Sequence, residues 1–546
     1  MQRKQKIVII GGGSAGWFTA AYLSRYLGHL LSITVIETPK IPTISVGESV
    51  TPHVQLFFDE LGIPTHEWMR ETGAIYKMAN KFQGWVTGDS DEVEYFSFNF
   101  PFDVKQLYKE NSDLITFEKG YNIDPGSFKT SDIIAHLYNN KTINKFDRFF
   151  NSQYHYMTKN VAPFKENEYL LNQKHTWSQH INSDRCGSYV RDNLCKPNGV
   201  RHLQKKVVKV MGHGDRISSV ELEDGSKESA DIFVDASGFH KVLVKHLEWK
   251  EKIYEDYAID RAVVGHSSYA DPQTEMVNHT QTIAQPYGWM FKIGLYHRMG
   301  NGFCYSSSHM SDEDAVAHFK KITKNIRSEP RILKWTPSRQ ETFASGNVAT
   351  IGLSSGFYEP LEANSLFVLI AGIKCLTETI KNFQETNVLD WLNYNEKLSY
   401  ALDDIADFIR VHYTLSKRTD TDFWNDMRAI GERRNDADLL RQKYYDDKNT
   451  ITNAEDNWSM FPDYMWLQVA ISWGIDVSHW FKEKVPNDVL DIGSCYFLNR
   501  DRKHDVVSNY LDNNYDWLKQ NVYKNVSPGT WEIDNYGINF DSKKSQ

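Results

Sequence analysis

The stretch Lys6-Ile7-Val8-Ile9-Ile10, Gly11-Gly12-Gly13-Ser14-Ala15-Gly16, Trp17-Phe18-Thr19-Ala20-Ala21-Tyr22-Leu23 decides the fold class. An apolar run of strand length passes through a glycine loop into residues of helical periodicity, the strand–turn–helix context of a dinucleotide fingerprint. Gly11 permits the tight turn, Gly13 lets the backbone approach a pyrophosphate, and Gly16 lets the helix pack closely on the strand. The helix N-terminus offers its free amides to the phosphates. A second apolar run, Ile33-Thr34-Val35-Ile36, ends in Glu37, placed to accept from a ribose hydroxyl. The alternative is a glycine-rich turn without a ligand.

Outward from this unit the chain reads as α/β. Val54–Leu61 has helical periodicity, and the loop before it carries Ser49 and Thr51, which are either cofactor contacts or helix caps. A helix is expected over Asp184–Leu194, then strands at 205–210 and 219–222. Asp231–Val234 is an apolar strand that ends in Asp235 and the small residues Ala236-Ser237-Gly238, and strand ends in open α/β sheets are where ligands bind. Gly346–Ile351 repeats that pattern, running into Gly352-Leu353-Ser354-Ser355, and 366–379 is apolar and helix-length. The rest, from about residue 380, reads as long amphipathic helices, as in 391–411 and 463–475, followed by a polar tail. The expected organisation is a discontinuous nucleotide module over 1–90, 170–265 and 335–380, with a substrate region over 91–169, 266–334 and 381–546.

Composition excludes several classes. The net charge of −9 comes without a long basic run and gives no reason to expect nucleic acid or anionic membrane. Five cysteines without CxxC or Cys/His spacing read as buried thiols in a reducing compartment, with no metal site. The basic start, Met1–Lys6, leads into a strand that breaks at Gly11 and is not a signal peptide. No window is expected to reach the roughly 20 apolar residues of a membrane span, so the default location is cytoplasmic. The 546 residues include 15 Trp, 29 Tyr and 29 Phe, enough for some to line a site for a flat substrate. Phe96, Phe98 and Phe100 alternate and share one strand face. A lysine in the mixed segment 72–85 is by default solvated.

Taken together, these blocks resemble the flavin-dependent tryptophan halogenase family over most of the chain. The landmarks are Gly11–Trp17, Val46-Gly47-Glu48-Ser49, Tyr76-Lys77 with Lys81-Phe82 and Trp85, Asp235–Gly238, Gly352–Ser355 running into Glu359-Pro360-Leu361-Glu362, and Asp407-Phe408 through His412-Tyr413 to Phe423-Trp424. The resemblance implies a Rossmann-like FAD module of the flavin monooxygenase type carrying a mostly helical substrate domain. It implies FAD held by Gly11, Gly12, Gly13, Ser14, Ala15, Gly16, Glu37, Thr38, Ile41, Ser49, Val207, Asp235, Leu353 and Leu366. Reduced FAD from a separate flavin reductase, O2 and a halide then give hypohalous acid. Lys77 matches the family's catalytic lysine, acting by hydrogen bonding or as a haloamine, and Glu362 matches its carboxylate partner; an ordinary salt bridge is the bland reading of the pair. The halide, whether chloride, bromide or iodide, falls at the amides of Asn364 and Ser365.

Two departures shape the expectation. The family's Ser-Thr-Gly after the glutamate is Ala363-Asn364-Ser365 here, and its GWxWxIP, tied to suppressing monooxygenase chemistry, is Gly288-Trp289-Met290-Phe291-Lys292-Ile293-Gly294. The positions that sandwich the family's substrate match Phe98, Phe100 and, more loosely, Phe461. The expected substrate is therefore a small indole- or phenol-like aromatic and not free tryptophan. A flavin-dependent aromatic monooxygenase and a non-catalytic flavin-binding protein are the rival readings. A homo-oligomer is compatible with the sequence.

Overall fold

The computed structural model describes residues 4–38, 46–96, 130–143, 145–150, 153–162, 164–165, 168–169, 177–446, 460–480, 487–524 and 526. Ile41, Phe98 and Phe100 lie outside the described residues.

The opening stretch folds as a strand, Gln5–Ile10, and a helix, Ser14–Leu27, followed by the strand Leu31–Glu37. These enter a six-stranded sheet in the order 201–204, 31–37, 5–10, 232–235, 348–350, 344–345. The first five strands run parallel and only the last is antiparallel. Parallel sheets are covered on both faces, and Ile7, Val8, Ile9 and Ile10 are all buried accordingly. The register aligns Ile36, Ile10, Asp235 and Thr350 across the sheet, so the loops after four strands emerge side by side. Two glycines are dictated by close approach. A Cβ on Gly16 would lie 1.9 Å from the Gly11 carbonyl oxygen, and one on Gly11, whose φ is +121°, 2.2 Å from that of Ala236.

The strands expected at 205–210 and 219–222 form an antiparallel hairpin, Val207–His213 with Arg216–Leu222, in its own small sheet. Its apolar face packs against Val8, Ile10 and Phe233, behind the main sheet. The helix expected from Asp184 is Ser183–Val190, prolonged by a π-helical turn, Arg191–Cys195.

A seven-stranded sheet lies beside this module, in the order 331–334, 261–267, 298–305, 288–295, 279–285, 79–83, 93–96. It is antiparallel except where Ala79–Gln83 pairs in parallel with His279–Gln285. A third sheet of three short strands joins the two: Glu48–Ser49 and Ile75–Lys77 both pair with Ser178–Ile181. The helices Ser365–Thr386, Leu392–Thr414, Asp422–Arg434 and Asp463–Ser472 pack over them. An apolar cluster runs from Ile7 through Phe82, Trp289 and Phe408 to Trp517, so the six-stranded sheet, the seven-stranded sheet and the C-terminal helices share one core.

Cys186, Cys195, Cys304 and Cys375 are buried free thiols. Contrary to the sequence expectation, one helical stretch, Leu361–Thr386, is long and apolar enough to cross a membrane. The reason is its place in the core: 72% of its apolar window is buried against the rest of the protein.

Candidate active site

The glycine loop forms a cradle suited to a dinucleotide. Gly13 is the N-cap of the Ser14–Leu27 helix and gives no side-chain cap, and the first turn holds no acidic residue, so its amides face outward unopposed. The Glu37 carboxylate lies over Gly12, where a Cβ would be 1.4 Å from Glu37 Oε2. His202 holds the other oxygen, Nε2 to Oε1 at 2.7 Å. Ala15 approaches Gly352 closely enough that a Cβ there would be 3.1 Å away, which brings the loops of Gly11–Gly16 and Gly352–Ser354 together. Leu353 is half-buried in that second loop, Leu366 is buried in the first turn of the following helix, and Thr38 follows Glu37 at the strand end.

Asp235, at the end of its strand, is buried and its carboxylate is hydrogen-bonded within the fold. Its Oδ1 accepts from Ser237 N, Ser237 Oγ and Ser354 Oγ, and its Oδ2 from the amides of Leu243 and Val244. The side chain is consumed in fixing the loop after its strand. Val207 begins the hairpin behind the sheet and is half-buried there. Ser49 bonds to Thr280 Oγ1 at 2.8 Å, and Thr280 Oγ1 to His180 Nε2 at 2.8 Å. Burial, with Lys77 beside it, keeps the His180 imidazole neutral, well below its ordinary value.

Lys77 ends the short strand Ile75–Lys77 and is only 2% exposed. The default expectation of a solvated lysine is overturned, because the sheet joining the two modules carries it inward. Its Nζ donates to the Val50 carbonyl at 3.0 Å, which also accepts from Ser178 Oγ at 2.7 Å. Burial depresses the ammonium from 10.5 to about 7, and the carboxylate of Glu362 pulls the other way. Desolvation favours the neutral amine, and an opposite charge restores only part of that loss.

Glu362 is 2% exposed and sits in a 3-10 turn, Leu361–Ala363, before the Ser365–Thr386 helix. Its φ is +64° and that of Ala363 +57°, two successive left-handed residues that are not glycine. Such backbone costs about 1–3 kcal/mol per residue and persists where the surroundings over-determine it. Asn80 Nδ2 donates to Glu362 Oε2 at 2.7 Å. The bland reading of a Lys77–Glu362 salt bridge fails: the hydrogen bond of Lys77 goes to Val50 and that of Glu362 to Asn80. Asn364 stands at the N-cap position of the helix that follows, without a side-chain cap, and Ser365 is its first residue, where first-turn amides lack helical acceptors. The Asn364 side chain turns back to the Leu361 carbonyl at 2.8 Å.

The walls around the carboxylate are aromatic. Asn80 and Phe82 project from one face of the Ala79–Gln83 strand, as alternation requires. Phe82 stacks on His412 at 5.1 Å, and Phe96 and Trp473 meet the same ring at 5.9 and 5.1 Å. Phe461 lies one layer behind, stacked on Phe408 at 3.8 Å, and Phe408 contacts His412. The sequence marks His412 as a landmark without a task and does not single out Asn80; alternation with Phe82 along one strand is the signal that would find the latter. Glu359, from the same block as Glu362, accepts from Trp289 Nε1 at 2.9 Å and Tyr413 Oη at 2.7 Å, and burial raises its carboxyl to about 7. This fixes the retained tryptophan of the altered Gly288–Gly294 motif.

The arrangement offers a dinucleotide cradle and, across the joining sheet, a desolvated amine and a buried carboxylate that faces the ring-packed His412. Comparison with known proteins gives the same architecture. The chain is similar to the solved structure of Xcc4156, a flavin-dependent halogenase from Xanthomonas campestris, with a TM-score of 0.78 at 24% identity over 95% of this chain and 98% of that one. It is 31% identical to tryptophan 7-halogenase RebH of Lentzea aerocolonigenes, over 77% of this chain and 78% of the relative. It is 30% identical to tryptophan 6-halogenase ThaL of Streptomyces albogriseolus, with the same coverages. The family model described as tryptophan halogenase matches residues 6–484, and the chain belongs to that family.

Proposed function

We propose that this protein halogenates a small, electron-rich indole- or phenol-like aromatic, with FAD in the Gly11–Gly16 cradle and Lys77 and Glu362 at the reacting atoms. The observation that carries the reading is the desolvated amine of Lys77 within electrostatic reach of the buried Glu362 carboxylate, which in turn faces the ring-packed His412. Held by the Gly11–Gly16 loop and Glu37, FAD reduced by a separate flavin reductase would supply hypohalous acid from O2 and chloride, bromide or iodide. Asn364 and Ser365 would hold the halide at the helix N-terminus, where amides favour a small anion.

Lys77 Nζ–H donates to the hypohalous oxygen. The ring's electron pair attacks the halogen, the halogen–oxygen bond breaks, and the departing hydroxide takes the lysine proton to leave as water. Glu362 then takes the proton from the substituted ring carbon, whose C–H pair restores aromaticity. Charge develops at positions already faced by an ammonium and a carboxylate in a dry pocket, where such groups act strongly. If Lys77 instead forms a haloamine, it must start neutral. The two routes differ in sign: with a value of about 7, activity falls above that pH on the hydrogen-bonding route and below it on the haloamine route.

RebH and ThaL are named for tryptophan. The altered Gly288–Gly294 motif and phenylalanines at 98 and 100 favour a different aromatic here. The decisive experiment supplies flavin reductase, NADH, FAD and mixed halides with an indole and phenol panel. Products heavier by a halogen are expected; products heavier by oxygen alone would establish the monooxygenase reading, which Phe291 in place of the second tryptophan favours.

A further inference from the structure

Glu362 Oε1 and His412 Nε2 face each other at 3.4 Å, both fully buried, and neither atom has a hydrogen-bond partner. The other end of each group is committed. Glu362 Oε2 accepts from Asn80, and His412 Nδ1 lies 2.7 Å from the Phe408 carbonyl one helical turn back. A carbonyl can only accept, so Nδ1 carries the hydrogen and the neutral ring presents a bare lone pair at Nε2. Two lone pairs repel, which accounts for a separation just beyond hydrogen-bonding range. One added proton turns that repulsion into a bond. The ring cannot turn away to avoid it: Phe82 stacks on one face, Trp473 and Phe408 meet its edges, and Trp473 Nε1 holds the His412 carbonyl at 3.0 Å.

We propose that His412 is a positioning residue for Glu362 and the receiver of the proton that Glu362 removes from the substrate ring. The inference rests on the halogenase reading above. The C–H bond of the halogenated ring breaks, its electron pair returns to the ring, and the proton goes to Glu362. It then passes from the carboxylic acid to His412 Nε2, leaving imidazolium and carboxylate hydrogen-bonded to each other. When product leaves and water enters, the proton is lost to solvent. Glu362 is thereby reset as a base without waiting for the pocket to open.

The test uses the full-length enzyme with FAD, flavin reductase and the halide and aromatic that give turnover. His412→Phe keeps the ring and its stacking but removes the nitrogens; His412→Gln removes the base and keeps polarity. Both are expected to lower kcat about 100-fold, within the range for general acid–base groups, with KM unchanged. A substrate deuterated at the reacting carbon is expected to slow both variants more than the wild type, which loss of packing alone would not do. Independently of any variant's folding, long-range 15N correlation spectra of the histidine-labelled wild type are expected to show His412 as the Nδ1–H tautomer. An Nε2–H tautomer, or wild-type kcat in both variants while Glu362→Gln is inactive, overturns the inference alone. An active Glu362→Gln removes the role of Glu362 in the reading beneath it.

Discussion

Replacing Lys77 by methionine should stabilise the folded protein near neutral pH while abolishing halogenation. The ammonium falls from 10.5 in the open chain to about 7 in the fold. Between those values the unfolded chain binds more protons than the folded one, so wild-type stability rises with pH across that window. Below it the wild type bears the whole penalty of a buried charge, about 5 kcal/mol at about 1.36 kcal/mol per pH unit. Methionine matches the shape and needs no proton. Losing the bond to the Val50 carbonyl returns about 1 kcal/mol, and Ser178 still satisfies that oxygen. The expected gain is therefore about 4 kcal/mol at pH 6.5, shrinking as pH rises until the variant is the less stable by about 1 kcal/mol near pH 10.5. Urea unfolding of FAD-free wild type and Lys77→Met at pH 6.5, 8 and 9.5 measures it. Parallel pH dependences, or a variant less stable at pH 6.5, would refute the account of Lys77 as a desolvated amine. A stable variant that still halogenates would remove the lysine from the chemistry.

Glu359→Gln should be more stable than wild type by about 3 kcal/mol at pH 8 and equal to it at pH 4.5, because a carboxyl raised from 4.5 to about 7 loses folded-state stability as pH rises through that window; urea melts at the two pH values check it. Ala363→Gly should stabilise by about 1 kcal/mol, since glycine relieves the left-handed φ of +57°. If the loop amides bind halide, the halide dependence of turnover should stay unchanged in that variant. Gly12→Ala should weaken FAD binding at least tenfold in a flavin fluorescence titration, because the new methyl must displace the Glu37 carboxylate from its place beside His202; unchanged affinity would mean that Glu37 has no part in the cradle.

The nucleotide cradle was legible in the sequence because its signals are local. An apolar run, a glycine loop and a terminal Glu37 lie within one strand–helix–strand unit. Lys77 was legible only through resemblance, since composition alone places a lysine in a short mixed segment in solvent, and its burial depends on pairing with residues a hundred positions away. Asp235 sits where a ligand contact was expected, yet its lone pairs are taken by five donors of its own fold, most of which no sequence pattern marks. Asn80 and His412 were illegible as partners of Glu362 for the same reason: they approach it from strand and helix separated by hundreds of residues. The membrane-length helix shows the converse, an apolar run whose meaning is set by what covers it.

Lys77 and Asn80 are three residues apart but belong to different sheets: the lysine ends a strand of the small joining sheet, and the asparagine is the second residue of the Ala79–Gln83 strand, next to the edge of the large one. Met78, between them, is pinned by its amide to the Asn278 carbonyl at 2.7 Å. The spacing between the amine and the carboxylate that Asn80 holds is thus a gauge of how the two sheets are aligned. Any slippage along that seam, from a remote substitution or an ill-fitting occupant, would be felt at the reacting atoms first. Reaction rate should then respond to mechanical misalignment before folding stability does.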